Sequence, residues 1–561
     1  MNLKTVRTTK HVAYVVAFIL AASPISLWAG DASAADRGLK TNLHSNEQLV
    51  LAAERGYLDD VKRLLNEGTS VNGKDRRGLT PWQAARIYGR KGVADFLAGA
   101  GADTRKPMPK PEKIIDAMFK EILTNNSPGA AVLVARNGKI LFEKGYGLAN
   151  IGDRVPVTPQ TKFRIGSMTK QFTAAAILKL HEQGKLNLDD KLSKFIPEYP
   201  RGDEVTIHQL LTHTSGVNDY GLKPDFLKRV GTHIEPEDLI KSFENGPYEF
   251  DPGTKWFYDN CGYVLLAFII EKVSGEKNED YLREAFFEPL GMTNTAVYNS
   301  SDILEHEASG YSYQDGQVKK ALYWDMSWGY GSGNLYSTVR DLYRWNEALF
   351  NGKALSNASL EAAFTPVHTP DDDTPRFDGY GYGFMLQKLR GLNEVCHGGC
   401  LHGFLSYMLR IPKENLTVAV LQNAALQSPP GMHIGLAEGI AQLYLTDKME
   451  PAPTFVVDKT VSSRVYDACV GRYFDLLSEQ GLFVSKVGER LFARCVAHAD
   501  FEIFPTSETE FFSKTADDQI TFVKDEKGAV IKAVHRLSGL ILHAPRLPEQ
   551  PAASGGEAPS Q

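Results

Sequence analysis

The sequence predicts an α/β (α+β) domain with one antiparallel sheet and a helical insertion, preceded by α-helical repeats and followed by an all-β domain. Three observations carry this. β-rich runs stand at both ends of residues 113–449 and helical patterns fill the middle, the order expected when a sheet is assembled from both ends of a domain. A pattern with a 33-residue offset occupies 45–103. After a proline-containing break at 450–454, only β signals remain.

At the N-terminus, Lys4, Arg7 and Lys10 precede an uninterrupted apolar stretch from Val12 to Ala22, and a small-x-small triplet ends at Ala34. This is the layout of a cleaved export signal over 1–34. The eleven apolar residues fall short of the ~20 that a bilayer span needs; an uncleaved N-terminal anchor is the alternative. The mature chain is therefore expected in the periplasm or secreted. Removing 1–34 takes three basic residues and one acidic, moving the formal net charge from −6 to −8. No basic block survives, which argues against a nucleic-acid partner. A second membrane span is not expected either: the apolar run 263–270 is eight residues long and reads as core. Five cysteines in an exported chain permit disulfides, and the odd count leaves at least one thiol.

Within 45–103, Ala52, Gly56, Leu64 and Gly68 recur as Ala85, Gly89, Leu97 and Gly101, with a Gly-Leu-Thr-Pro turn and helix start at 78–81 between them. The period and the Thr-Pro turn resemble ankyrin repeats, whose stacks need about three units to bury their faces. Two are present, so they either cap the next domain or bind a protein partner. Residues 104–112, with three prolines and four charges, form a linker. Two β-rich runs then flank Asn137-Gly138 over 130–147, the strongest short hairpin signal. Helical patterns cover 169–184, 262–274 and 339–350; strands return at 403–412 and 416–423, and a helix follows near 433–446. Alternating runs at 481–495 and 519–537 make 455–548 a small β-barrel or sandwich, and 549–561 has the composition of a disordered tail.

Ser167 and Lys170 open an apolar, alanine-rich run. Residues three apart share one face of a helix, so the two side chains can meet. The helix start favours developing negative charge. A serine hydroxyl needs a base, and lysine serves only when burial or a neighbouring cation lowers its pKa. Alone, the pair reads equally as a helix cap and an unrelated lysine. Two further stretches supply partners. Tyr258-Asp259-Asn260 stands just before an apolar helix; Tyr258 suits proton relay, and Asn260 suits hydrogen bonds to a substrate carbonyl and to Lys170. His397-Gly398-Gly399 begins at the edge of a strand, where glycines admit a ligand or another backbone.

The run 396–402 packs two cysteines and two histidines together, a composition that suggests zinc. Strand alternation sends neighbours to opposite faces, so four ligands do not converge easily and a metal is not expected; no cofactor is expected either. Cys396 and Cys400 read as packing residues or a local disulfide, and Cys261 as helix core. Cys469 and Cys495, in adjoining predicted strands, are better disulfide candidates.

With these elements in this order, residues 112–446 resemble the penicillin-recognising serine hydrolases, in the branch of class C β-lactamases and their esterase and D-peptidase relatives. That family carries Ser-x-x-Lys, Tyr-x-Asn and Lys/His-x-Gly motifs, standing here as Ser167 to Lys170, Tyr258 to Asn260 and His397 to Gly399. Stretches 205–217, 288–295, 331–345 and 403–412 are similar to the family as well. The resemblance implies a β-lactamase/transpeptidase-like domain in which Ser167 attacks a carbonyl, and Lys170 with Tyr258 passes its proton to the leaving group. It also implies an oxyanion held by the backbone N–H groups of Ser167 and Cys400, with Asn260, His397, Gly398 and Gly399 binding substrate and no metal. The last β segment is similar to small lipocalin-like domains that follow such hydrolases.

The third motif departs from the Lys-Thr-Gly of typical β-lactamases, whose lysine and threonine grip a substrate carboxylate. His397 is neutral over much of the physiological range, and Gly398 has no hydroxyl. A weaker carboxylate grip favours esters or amides over penicillins, so the expected activity is that of an esterase or D-aminopeptidase on a small-molecule or peptide substrate. A β-lactamase or D-Ala-D-Ala carboxypeptidase is the alternative, and a catalytically inactive binding protein is the alternative of another class. On this reading His397 gains charge near pH 6, grips a carboxylate there and depresses the pKa of Lys170.

Overall fold

The structure, a computed structural model, describes residues 44–222, 225–314, 317–367, 379–424, 432–475, 480–495, 500–514, 518–537 and 540–547. The expected export signal at 1–34 and tail at 549–561 lie outside the described residues. These form two compact units, divided after Phe455. Among the described residues no helix is long and apolar enough to cross a membrane.

The first unit begins with two helix pairs, α1 (Ser45–Arg55) with α2 (Leu58–Asn66), then α3 (Pro81–Ile87) with α4 (Lys91–Gly99). Thr80 caps α3: its Oγ1 accepts from Gln83 N–H at 3.3 Å, and Gln83 Oε1 accepts from Thr80 N–H at 3.0 Å. Proline follows at the first helical position, where no N–H is needed. Helix α5 (Pro111–Ile122) starts on a proline in the same way. Val50, Leu79, Ala84 and Ile87 of the pairs share a core with Ile114 of α5.

The main sheet has seven antiparallel strands: β1 (Ala130–Arg136), β2 (Lys139–Tyr146), β3 (Gly379–Tyr380), β4 (Met385–Leu389), β5 (Leu392–Leu401), β6 (Phe404–Ile411) and β7 (Leu416–Gln422). Their spatial order is β3-β4-β5-β6-β7-β1-β2, so β1 pairs with β7 and the two ends of the domain meet mid-sheet. Asn137 and Gly138 turn the β1–β2 hairpin with φ of 52° and 73°, the left-handed pair that a type I′ turn demands.

Between β2 and β3 lies the helical insertion. It includes α6 (Thr169–Glu182), α7 (Ile207–Leu211), α8 (Cys261–Ser274) and α9 (Val339–Phe350). α8 is apolar almost all round and is buried from Cys261 to Ile270, as a helix inside a core must be. α9 covers one face of the sheet, and Trp345 stacks on Phe172 of α6 with centroids 4.3 Å apart. The other face is covered by α5 and α10 (Met432–Leu445). At the β4–β5 turn, Arg390 donates to Ile87 O at 3.0 Å and Glu450 O at 2.8 Å, tying the second helix pair to the sheet.

The second unit carries eight antiparallel strands in sequence order, from β8 (Gly471–Asp475) and β9 (Gln480–Val487) to β15 (Leu540–Pro545). A bridge between Tyr473 and Arg546 brings the first strand to the end of the last, so the sheet is a nearly closed all-β barrel. The expected Cys469–Cys495 pairing on adjoining strands is corrected at its first partner. Cys469 ends a short helix, Val465–Cys469, and is in no disulfide; the side chain of Cys495 lies outside the described residues.

Candidate active site

Ser167 sits in a single 3-10 turn, Gly166–Met168, that leads straight into α6. Gly166 has a φ of +52°, and a Cβ built there would lie 3.0 Å from Cys400 N. The turn is therefore pressed against the end of β5. Gly399 allows the approach from the other side, since a Cβ on it would meet Ile165 O at 2.0 Å. Ser406 Oγ of β6 donates to that same carbonyl at 2.7 Å. The nucleophile turn is thus held against the paired strands β5 and β6, with Gly166 packed on the Cys400 backbone.

Lys170, one helical turn on, is fully buried while Ser167 is half-exposed. Its Nζ reaches Ser167 Oγ at 3.2 Å, Asn260 Oδ1 at 2.9 Å and Ser332 O at 3.0 Å. The same nitrogen lies 4.7 Å from the centroid of the Tyr258 ring and 5.5 Å from that of Tyr263. Burial drives its pKa down to about 7, although Asp219 and Asp259 pull the other way. Burial likewise pushes Asp219 up to about 6 against the hydrogen bond from Asn260 N–H, and Asp259 up to about 7 against the one from Gly262 N–H. A lysine poised near neutrality, one hydrogen bond from a serine, can act as a base without a metal.

The structure brings Ser167, Lys170, Tyr258 and Asn260 together, and it lays Gly399 and Cys400 against the turn that carries the serine. His397 differs from expectation. It stands inside β5 rather than at a strand edge, and it is fully buried. Its Nδ1 lies 2.6 Å from Gly398 O and so donates to it; its Nε2 then accepts from Tyr380 O–H at 3.0 Å. Burial first, and Lys170 second, lower its pKa to about 3. The expected gain of charge near pH 6 is therefore corrected: the imidazole stays neutral and both ring nitrogens are occupied. Gly398 is half-exposed beside it.

Four residues that shape the site went unnamed in the motif reading. His213 packs on Tyr258 with centroids 4.4 Å apart, Asp219 bonds Asn260, Tyr380 bonds His397, and Ser406 bonds the residue before the turn. His213 lies in the family-like stretch 205–217 and Ser406 in 403–412, which are the signals that point to them; Asp219 and Tyr380 have none. Among the described residues no three His, Cys, Asp or Glu side chains gather to hold a metal. Cys261, Cys396 and Cys400 are in no disulfide.

The Beta-lactamase family profile matches residues 115–438. A penicillin-binding protein of Bacillus subtilis (strain 168) is 30% identical over 439 residues, covering 74% of this chain and 95% of its own. An octameric penicillin-binding protein homologue from Pyrococcus abyssi superposes with a TM-score of 0.54 at 28% identity, over 76% of this chain and 99% of that one. A D-amino acid amidase from Ochrobactrum anthropi shares the fold, with a TM-score of 0.51 at 24% identity, over 60% of this chain and 98% of its own. The matched stretch contains the turn of Ser167, the buried Lys170 and the strand ending at Cys400, and the chain belongs to the β-lactamase family, among its penicillin-binding-protein-like serine hydrolases.

Proposed function

We propose that the chain is an exported serine hydrolase that cleaves esters or amides, of the esterase or D-aminopeptidase kind, through an acyl-enzyme on Ser167. The contacts of Lys170 carry the reading. As a neutral amine, Nζ donates its two protons to Asn260 Oδ1 and Ser332 O and turns its lone pair to Ser167 O–H. Ser167 Oγ then bonds to the substrate carbonyl carbon as its proton passes to Lys170. The oxyanion rests on the N–H groups of Ser167 and Cys400. Tyr258 relays the proton to the leaving alcohol or amine, the acyl carbon–heteroatom bond breaks, and water releases the acid by the reverse path.

Substrate preference follows from charge. A carboxylate-bearing substrate finds no cation at His397, which is buried and neutral, so neutral esters and D-amino-acid amides are favoured. The name of the Bacillus subtilis relative favours a second reading, a β-lactamase or D-Ala-D-Ala carboxypeptidase. The basic-then-apolar layout of residues 1–34 supports the periplasm or the outside of the cell for the mature chain. The ankyrin-like repeats of 45–103 cap the next domain or seat a protein partner, and the barrel is lipocalin-like.

Intact-protein mass after fluorophosphonate treatment tests the reading: one adduct on the wild type and none on Ser167→Ala. No adduct on the wild type leaves the inactive binding protein. A panel of p-nitrophenyl esters, D-amino-acid amides and nitrocefin then separates the two enzyme readings, and preferential turnover of nitrocefin overturns the first.

A further inference from the structure

The stretch from His213 to Asp219 runs beside the Tyr258-Asp259-Asn260 triplet and holds it at both ends. His213 O accepts from Phe257 N–H at 3.0 Å, and His213 Nδ1 lies 3.2 Å from Asp259 N. The imidazole packs on Tyr258, on Tyr380 at 4.7 Å and on Tyr263 at 5.1 Å between centroids. His213 adopts a φ of 60°, a left-handed conformation uncommon for a residue with a Cβ. Farther along, Thr214 O accepts from Gly253 N–H at 2.7 Å and Gly216 O from Glu249 N–H at 2.8 Å. At the far end, Asp219 Oδ2 accepts from Asn260 N–H at 2.6 Å and from Asn260 Nδ2–H at 3.3 Å, while Oδ1 accepts from Gly221 N–H at 2.7 Å.

The last contacts decide an orientation. An asparagine amide has nearly the same shape when flipped, but its two ends differ chemically. A carboxylate only accepts, so Asp219 draws the Nδ2 end and leaves Oδ1 facing Lys170. A flipped amide would turn a donor on Lys170 Nζ and remove an acceptor that the working amine uses.

We propose that residues 213–219 form a positioning strap for the base: His213 places the Tyr258 ring against Lys170, and Asp219 sets the Asn260 amide. The proposal rests on Lys170 as base. The groups that face Lys170 are Ser167, Asn260 and the Ser332 carbonyl by hydrogen bond, Tyr258 and Tyr263 by their rings, Asp219, Asp259 and Cys261 by their electrostatics, and the uncharged imidazoles of His213 and His397. Burial lowers the pKa of His213 well below its ordinary value, as it does that of His397. The two aspartates are then the charges that hold the lysine pKa up.

Asp219→Asn removes one of those charges and one acceptor. The measurements on full-length protein are kcat and KM for p-nitrophenyl acetate across pH, the fluorophosphonate labelling rate, and Tm. Expected are a fall in kcat of up to about 100-fold, a nearly unchanged KM, and an acid limb of kcat/KM moved to lower pH, because Lys170 loses an anionic neighbour. His213→Phe keeps a ring but loses the 3.2 Å contacts of Nδ1 with the Asp259 N–H and with Asp259 Oδ2, so kcat falls with KM kept. Rates referred to the labelled fraction exclude unfolded protein. An acid limb that stays in place for Asp219→Asn overturns the proposal, as does wild-type kcat in both variants. Lys170→Ala separates the two failures: if it abolishes turnover while the strap variants remain active, only the strap is wrong. If it retains turnover, the base assignment is wrong.

Discussion

Gly399→Ala is expected to displace the nucleophile. A Cβ at this position would lie 2.0 Å from Ile165 O and 2.5 Å from Ser406 Oγ, whereas ordinary contact starts near 3.4 Å. The carbonyl of Ile165 must therefore retreat by about 1.4 Å, taking the Gly166–Met168 turn with it and breaking the 2.7 Å hydrogen bond from Ser406. Misplacement of a reacting group by about 1 Å costs on the order of 100-fold in rate, so kcat should fall at least that far. Gly398→Ala is the control one residue away, because its Cβ would come no closer than 3.3 Å, to the ring of Tyr407. Its labelling rate should fall far less than that of Gly399→Ala. The assays are the rate of fluorophosphonate labelling by intact mass, kcat on p-nitrophenyl acetate, and Tm as the check on folding. Wild-type labelling by a folded Gly399→Ala would refute the reasoning, since the turn would then not be wedged against the strand.

With Lys170 near a pKa of about 7, kcat/KM for a neutral ester should rise with pH through that value as the amine loses its proton, then level off. A pH-rate profile checks this, and a limb near 10 would show the lysine solvated. Because His397 stays neutral down to about pH 3, the ratio of kcat/KM for carboxylate-bearing and neutral esters should not change between pH 6 and 8 through that residue; a ratio favouring the carboxylate at pH 6 in the wild type and lost in His397→Gln would contradict it. Asn423→Ala should destabilise the first unit by at least about 3 kcal/mol in a denaturant titration. Its buried amide accepts from Gly129 N–H and donates to Leu148 O, Ala149 O and Ser309 O, and alanine satisfies none of these groups.

Much of this architecture was legible because short-range rules govern it. The Asn137-Gly138 turn needs only two residues that tolerate positive φ, and the apolar length of 262–274 forces a buried helix whatever surrounds it. The spacing of Ser167 and Lys170 lets the two side chains meet at a helix start, and Tyr258 and Asn260 elsewhere in the chain made the pair legible as a site. Pairing across the sheet was less legible: nothing local says that Arg390 would reach back to Ile87, or that Cys469 would close a helix instead of entering a strand. His397 shows the limit most plainly. Its residue type suggests a group titrating near neutrality, but the hydroxyl of Tyr380 and the carbonyl of Gly398 occupy both nitrogens, and the surrounding core excludes the charge.

By itself the sequence determined the order of elements, the motifs and the side of each helix they occupy, since these depend on covalent geometry and on periodicity over a few residues. Only the tertiary structure decided the protonation states and the orientations. Burial lowers the pKa of Lys170 to about 7 and that of His397 to about 3, and Asp219 turns the amide of Asn260. Each of these is set by desolvation and by partners from distant segments, and the free energy of a buried charge depends on every atom packed around it.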